Sequence, residues 1–222
     1  MVYETPRSIG QVAKALSDAF HDFAHYNKPD PVDELVFILL SLLTQESVYL
    51  RVYYRLCCRF PDWSNLDLVD VSELEDLLGE GGLARQKARH LQAIARRLKQ
   101  DFGCVSLDHL DELDDETCEA YLRQLPGIGT KAARCVMLYS LGRQVFPVDT
   151  HCWRVARRLG WITTETNEPT SAWSAQLESL IPPEHRFSLH VNFVSLGRQI
   201  CVPGRPACER CPIRPWCPTG SG

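Results

Sequence analysis

Three segments of this 222-residue chain hold residues whose types and spacing could do chemistry. The first is Leu125-Pro126-Gly127-Ile128-Gly129-Thr130-Lys131, followed by Ala132 and Ala133. Gly127 and Gly129 permit a tight turn that other residues resist. The apolar positions Ala132, Ala133, Val136, Met137 and Leu141 predict a helix after it. The segment reads as helix, glycine hairpin, helix, with hairpin amides and a helix start pointing outward together, a natural seat for a phosphate. A plain helix corner would need neither the paired glycines nor the Thr-Lys that follows. The second segment is Val148-Asp149-Thr150-His151-Cys152-Trp153-Arg154. Asp149 opens a helix running to Leu159, and Gly160 is its stop signal. Taken alone, Asp149 is an ordinary N-cap. Near a lysine at another helix start, its carboxylate also has the makings of an acid/base partner.

The third segment is Cys201-x6-Cys208-x2-Cys211-x5-Cys217, four thiols within 17 residues stiffened by Pro203, Pro206, Pro212, Pro215 and Pro218. Four thiolates in so short a run can wrap one metal centre. A zinc site is expected to show two chelating pairs, and only one short pair occurs. The uneven spacing favours a [4Fe-4S] cluster. The other six cysteines, Cys57, Cys58, Cys104, Cys118, Cys135 and Cys152, are scattered and read as small core residues.

The elements that must position these residues are helical. Ile9, Val12, Leu16 and Phe20 predict an amphipathic first helix, and Val32 to Leu43 a helix apolar on most sides. Tyr49, Val52 and Leu56 continue the pattern up to Phe60-Pro61. Ser72 with Glu75 predicts a capping box for a short helix ending near Leu78, and Asp115 or Thr117 a cap for the helix carrying Tyr121 and Leu122. Gly79, Gly81 and Gly82 predict a flexible loop, and Leu91, Ile94, Ala95 and Leu98 line one face of a helix ending before Gly103. No segment alternates as a strand would, so the fold class is all-α.

Composition sets the class. Hydrophobic residues at 45% and charged residues at 23% fit a globular chain and exclude a disordered one. The apolar run from Leu35 is too short to span a bilayer. Met1-Val2-Tyr3-Glu4 shows no secretory signal, so an intracellular, cytoplasmic protein is expected, in which disulfides are rare. The net charge of −4 hides blocks: seven acids and no bases in 62–80 and again in 108–119, six bases and no acids in 85–99, and seven bases against Asp149 alone in 123–158. Such segregation can present a basic face on an acidic chain.

Together the hairpin, the Val-Asp-Thr-His segment and the cysteine spacing resemble the endonuclease III branch of the helix-hairpin-helix DNA glycosylases, from about Asp33 to Cys217. The resemblance implies two all-α domains, a six-helix domain over 30–143 and an iron-sulfur domain made of 1–29 and 144–222, with DNA bound in the cleft between them. It also implies a monomer acting on duplex DNA with damaged bases or abasic sites. Lys131 occupies the position of the nucleophilic lysine, and Asp149 that of the essential aspartate. Cys201, Cys208, Cys211 and Cys217 would hold the cluster. Gln45 would enter the space vacated by a flipped base, and Leu83 would wedge into the opposite strand. The remaining DNA contacts would come from Arg85, Lys87, Gly127, Gly129, Thr130, Arg134 and His151, with Arg205, Arg210 and Arg214 on the cluster loop as further phosphate contacts.

The implied activity is removal of damaged bases, oxidised pyrimidines in particular, with β-elimination at the resulting site. A free lysine with a pKa of about 10.4 is protonated and inert as a nucleophile. Partial burial and a helix start both disfavour its charged form. The chain departs from the family pattern in its acidic net charge, in the loop 79–82, and in Glu46 and Ser47, which follow Gln45 where relatives carry a small residue and a threonine. These departures keep open a second class, a lyase-only or non-catalytic binder of DNA structure.

Overall fold

A computed structural model describes residues 6–79, 83–163 and 169–221. Glu80, Gly81 and Gly82 of the expected flexible loop, and the first four residues, lie outside the described residues. Among the described residues all regular structure is helical, and no helix is long and apolar enough to cross a membrane. The chain divides into two units, one of Asn27–Arg143 and one of Met1–Tyr26 with Gln144–Gly222.

The first unit holds α2 (Pro31–Ser41), α3 (Glu46–Arg59), α4 (Val71–Leu78), α5 (Ala84–Phe102), α6 (Asp115–Gln124) and α7 (Thr130–Tyr139). At its centre lies α2, with nine of its eleven residues buried. It packs against α3 and α7, while α4 lies along α5. The predicted face of α5 is buried as read, from Leu91 through Leu98. Caps fall earlier than the sequence suggested. Asp70, and not Ser72, caps α4, and Asp114, and not Asp115 or Thr117, caps α6. In both places the aspartate accepts the amide that the proposed serine or threonine cap would donate, from Ser72 N and Thr117 N.

The second unit is built on α10 (Pro183–Gln199), which is buried continuously from Leu189 to Gly197. Against it pack α1 (Ile9–Phe20) and α8 (Thr150–Arg158), joined by α9 (Ser171–Leu180). Trp153, Phe193, Leu16 and Val12 form the centre of this core. The cysteine segment follows α10 as a loop with two single 3-10 turns, Cys208–Arg210 and Arg214–Trp216, and closes on α11 (Pro218–Ser221).

The apolar helix predicted over Val32 to Leu43 stops at Ser41. Leu42 is extended at ψ 123° and Leu43 turns left-handed at φ 52°. Thr44 N donates to Ser41 O at 3.3 Å, so residues 41–44 form the pattern of a type II turn and α3 is a separate helix.

Candidate functional site

The hairpin between α6 and α7 is made by a second turn of the same type. Ile128 N donates to Leu125 O at 3.1 Å, Pro126 occupies the second position, and Gly127 at φ 82° the third. Gly127 is required twice over. Its φ disfavours any side chain, and a Cβ there would stand 2.3 Å from Nδ1 of His90 on α5. Leu125 and Ile128 are buried and anchor the turn. Gly129 departs from the expectation: its φ of −91° is ordinary, and it serves as the N-cap of α7. Having no side chain, it leaves the first amides of α7 uncovered on its own account.

Lys131 is the second residue of α7 and is half-buried. Burial pushes the carboxyl of Glu34, on the facing helix α2, up to about 8. Its Oε2 accepts the Lys28 amide at 2.7 Å, and Oε1 is buried without a hydrogen-bond partner. Lys131 and Lys28 are the cations that oppose this rise. An ionised Glu34 would hold Lys131 in its ammonium form; the protonated acid exerts no such pull. Nothing in the sequence marked Glu34, because an acid near a helix start reads as a solvated first-turn residue.

Asp149 caps α8, its Oδ1 accepting from Cys152 N at 2.7 Å. The approach to it is fixed from behind: buried His190 of α10 bonds Pro147 O at 2.9 Å and lies 3.5 Å from the Cys152 sulfur. The carboxylate thus has the ordinary capping role read for it from the sequence.

The four cysteines Cys201, Cys208, Cys211 and Cys217 line one cavity with Leu196, Ile213 and Arg158. Two arginines of α8 fasten the loop. Arg154 donates to Cys201 O at 2.8 Å and Gly197 O at 2.9 Å, and Arg158 donates to Cys201 Sγ at 3.1 Å and to Val202 O at 2.9 Å. Burial raises the Cys211 thiol, with the three other cysteines adding to the rise. Among the described residues no three His, Cys, Asp or Glu side chains converge as one ion would require. A single zinc draws its sulfurs to about 2.3 Å from one point. A four-iron cluster binds each thiolate at its own iron. Four thiolates lining one cavity are a donor set that either group can use.

Residues 36–183 match the family described as the HhH-GPD superfamily base excision DNA repair protein. The chain belongs to this family. It is 31% identical over 193 residues to Endonuclease III of Thermotoga maritima, covering 87% of this chain and 85% of that one. It is 27% identical over 171 residues to DNA glycosylase/AP lyase ROS1 of Arabidopsis thaliana, covering 70% of this chain but 12% of that much longer protein. Its fold matches the structure of a non-covalent endonuclease III-DNA complex with a TM-score of 0.82, at 25% identity over 97% of this chain and 96% of that one.

Within this HhH-GPD chain the expected DNA contacts sort into two groups. Gln45 is exposed at the start of α3 with no cap bond from its side chain, Leu83 is 52% exposed at the start of α5, and Arg85 is exposed beside it. Thr130 opens α7. Three others are turned inward. Lys87 is 3% exposed and donates to Leu40 O, Leu42 O and Thr44 Oγ1, each at 2.7 Å; burial pulls its pKa down to about 8. It is a fastener within the protein rather than a phosphate contact. Arg134 is ion-paired to Glu119 across the hairpin at 2.9 Å. His151 lies against the Gly197 backbone, accepts from Arg154 at Nδ1, and is held below its ordinary pKa by burial. On the cluster loop Arg214 donates to Gly220 O at 3.0 Å, while Arg205 and Arg210 are exposed. The acidic and basic blocks are therefore partly interleaved in space, as the Lys99–Asp67 and Arg143–Asp115 pairs also show.

Proposed function

We propose that this base excision repair protein removes damaged bases, oxidised pyrimidines in particular, from duplex DNA and then cleaves the strand through an imine on Lys131. The observation that carries the reading is the hairpin: a glycine turn delivers a half-buried lysine to the first turn of α7, beside a carboxyl that is largely protonated at neutral pH. The uncharged lysine nitrogen attacks the sugar C1′ as the bond from C1′ to the base breaks, and the base departs with a proton. The C1′–O4′ bond of the resulting aminal then breaks, O4′ taking a proton as the 4′ hydroxyl and C1′ becoming the carbon of the imine, which acidifies the neighbouring C2′ proton. Removal of that proton expels the 3′ phosphate. Asp149 would take the lysine proton or stabilise positive charge developing on the sugar. Hairpin amides and exposed arginines such as Arg85 would hold phosphates, so affinity should fall steeply with salt.

The cysteine cavity supports a [4Fe-4S] cluster held by Cys201, Cys208, Cys211 and Cys217. When bound, it would cross-link a proline-rich loop that is otherwise secured mainly by Arg154 and Arg158. We assign it no step in the reaction. The protein would act as a cytoplasmic monomer.

The test is incubation with duplexes carrying single defined lesions, with an abasic duplex alongside. Free base should appear, followed by β-elimination. Asp149→Asn keeps the capping oxygen, yet base release should fall by roughly 10²-fold if the carboxylate acts as an acid/base group. Cleavage of the abasic duplex with no base released from any lesion would leave a lyase alone.

A further inference from the structure

We propose that Leu43 is a second wedge residue, entering the DNA base stack beside Leu83, and that Lys87 is the positioning residue that holds the two leucines in register. The proposal rests on the DNA repair reading above and adds two residues to it.

Both leucines stand on backbone that leucine disfavours. Leu43 has φ 52° and Leu83 φ 61°, in the left-handed region where a branched aliphatic side chain gains nothing locally. Both point their apolar surface at solvent, Leu43 at 85% and Leu83 at 52% exposure. The third position of a type II turn calls for glycine, and Leu43 sits there instead. Leu43 lies almost wholly in solvent and Leu83 half in it, so neither is a core residue. Sparsely populated backbone that persists is an indication of function.

Lys87 ties them together. It lies one turn along α5 from Leu83, and its amide donates to Leu83 O at 2.9 Å. Its ammonium grips Leu42 O and Thr44 Oγ1, the groups immediately before and after Leu43 in the chain. The side chain thus brackets Leu43, and the backbone bond is the first regular turn of α5, which sets Lys87 one turn from Leu83. Three acceptors match the three N–H bonds of the charged form. An exposed apolar residue on a rigid turn is suited to partial unstacking of a base step, where it replaces a base with its own surface.

The test needs no catalysis. A duplex carries a tetrahydrofuran abasic analogue with 2-aminopurine opposite it, whose fluorescence rises on unstacking. Wild-type protein should produce the rise on binding. Leu43→Asn suits the left-handed backbone and removes the apolar wedge. The rise should drop by at least half, as it should for Leu83→Asn, while affinity for this already disrupted duplex changes less than about threefold. Lys87→Met should lower the rise like Leu43→Asn, read at a temperature where circular dichroism shows it folded. Should Lys87→Met not fold, the two asparagine variants still decide the wedge. A full rise with Leu43→Asn overturns the proposal, as does tight binding by the wild type with no rise. Failure of the wild type to bind at all overturns the DNA reading itself, and the two failures are told apart by the binding curve.

Discussion

Residues 125–128 and 41–44 are two turns of the same type in one unit, and they differ at the position that matters. The hairpin turn has Gly127 at φ 82°, with His90 filling the space where a side chain would be. The other turn has Leu43 at φ 52° with its side chain in solvent. Where only the backbone path is needed, the residue that fits it is present. At residues 41–44 a disfavoured residue stands instead, and its side chain is left in solvent, unlike that of Trp63, which is also left-handed at φ 57° but buried. Behind one turn a histidine packs; behind the other a buried lysine grips the carbonyls.

This contrast can be broken at several points. Gly127→Ala should be the most damaging to stability, since it meets both the φ and the His90 ring, and a loss of about 2–4 kcal/mol is expected in urea unfolding. A loss under about 0.5 kcal/mol would mean that the hairpin relaxes freely. Next is Lys87→Met, which removes the ammonium from Leu40 O, Leu42 O and Thr44 Oγ1, leaving Leu42 O only the Thr44 hydroxyl, and should cost about 2–3 kcal/mol. Leu43→Gly should go the other way, raising stability by up to about 1 kcal/mol because the turn then has its preferred residue. Destabilisation there would show that Leu43 supports the fold and would remove the contrast.

A pH-dependent effect concerns α2, which ends in the Leu43 turn and packs on the helix that follows the hairpin. Glu34 is raised from 4.5 to about 8 in the folded protein, so between those values the unfolded chain releases a proton that the folded chain keeps. Stability contributed by this group is therefore lost as pH rises through that window. The urea midpoint of Glu34→Gln relative to wild type should climb from pH 5 to pH 8, and a flat difference would show that Glu34 ionises normally.

Much of this was legible from the chain alone. The hairpin, the Asp149 cap and the helices α1, α5 and α7 were readable because periodicity and glycine placement are local signals. The end of α2 was not, because an apolar run through Leu43, interrupted only by Ser41, says nothing of a lysine 44 residues later that binds its last carbonyls. Lys87 itself lies in a run of bases and reads as surface. Arg134 likewise looks available until Glu119 on the neighbouring helix is seen to pair with it. Exposed Leu43 was hidden for a related reason: an apolar residue in an apolar run is taken for core. What the sequence obscured were pairings between distant elements, which leave no local pattern.

The central claim is that Lys131 forms the covalent bond. Borohydride added to the protein on an abasic duplex should reduce the imine and trap a permanent adduct, and peptide mapping should place it on Lys131. Lys131→Ala keeps a helix-favouring residue and should bind the duplex but trap nothing. An adduct on any other residue, or undiminished trapping in Lys131→Ala, would contradict the account.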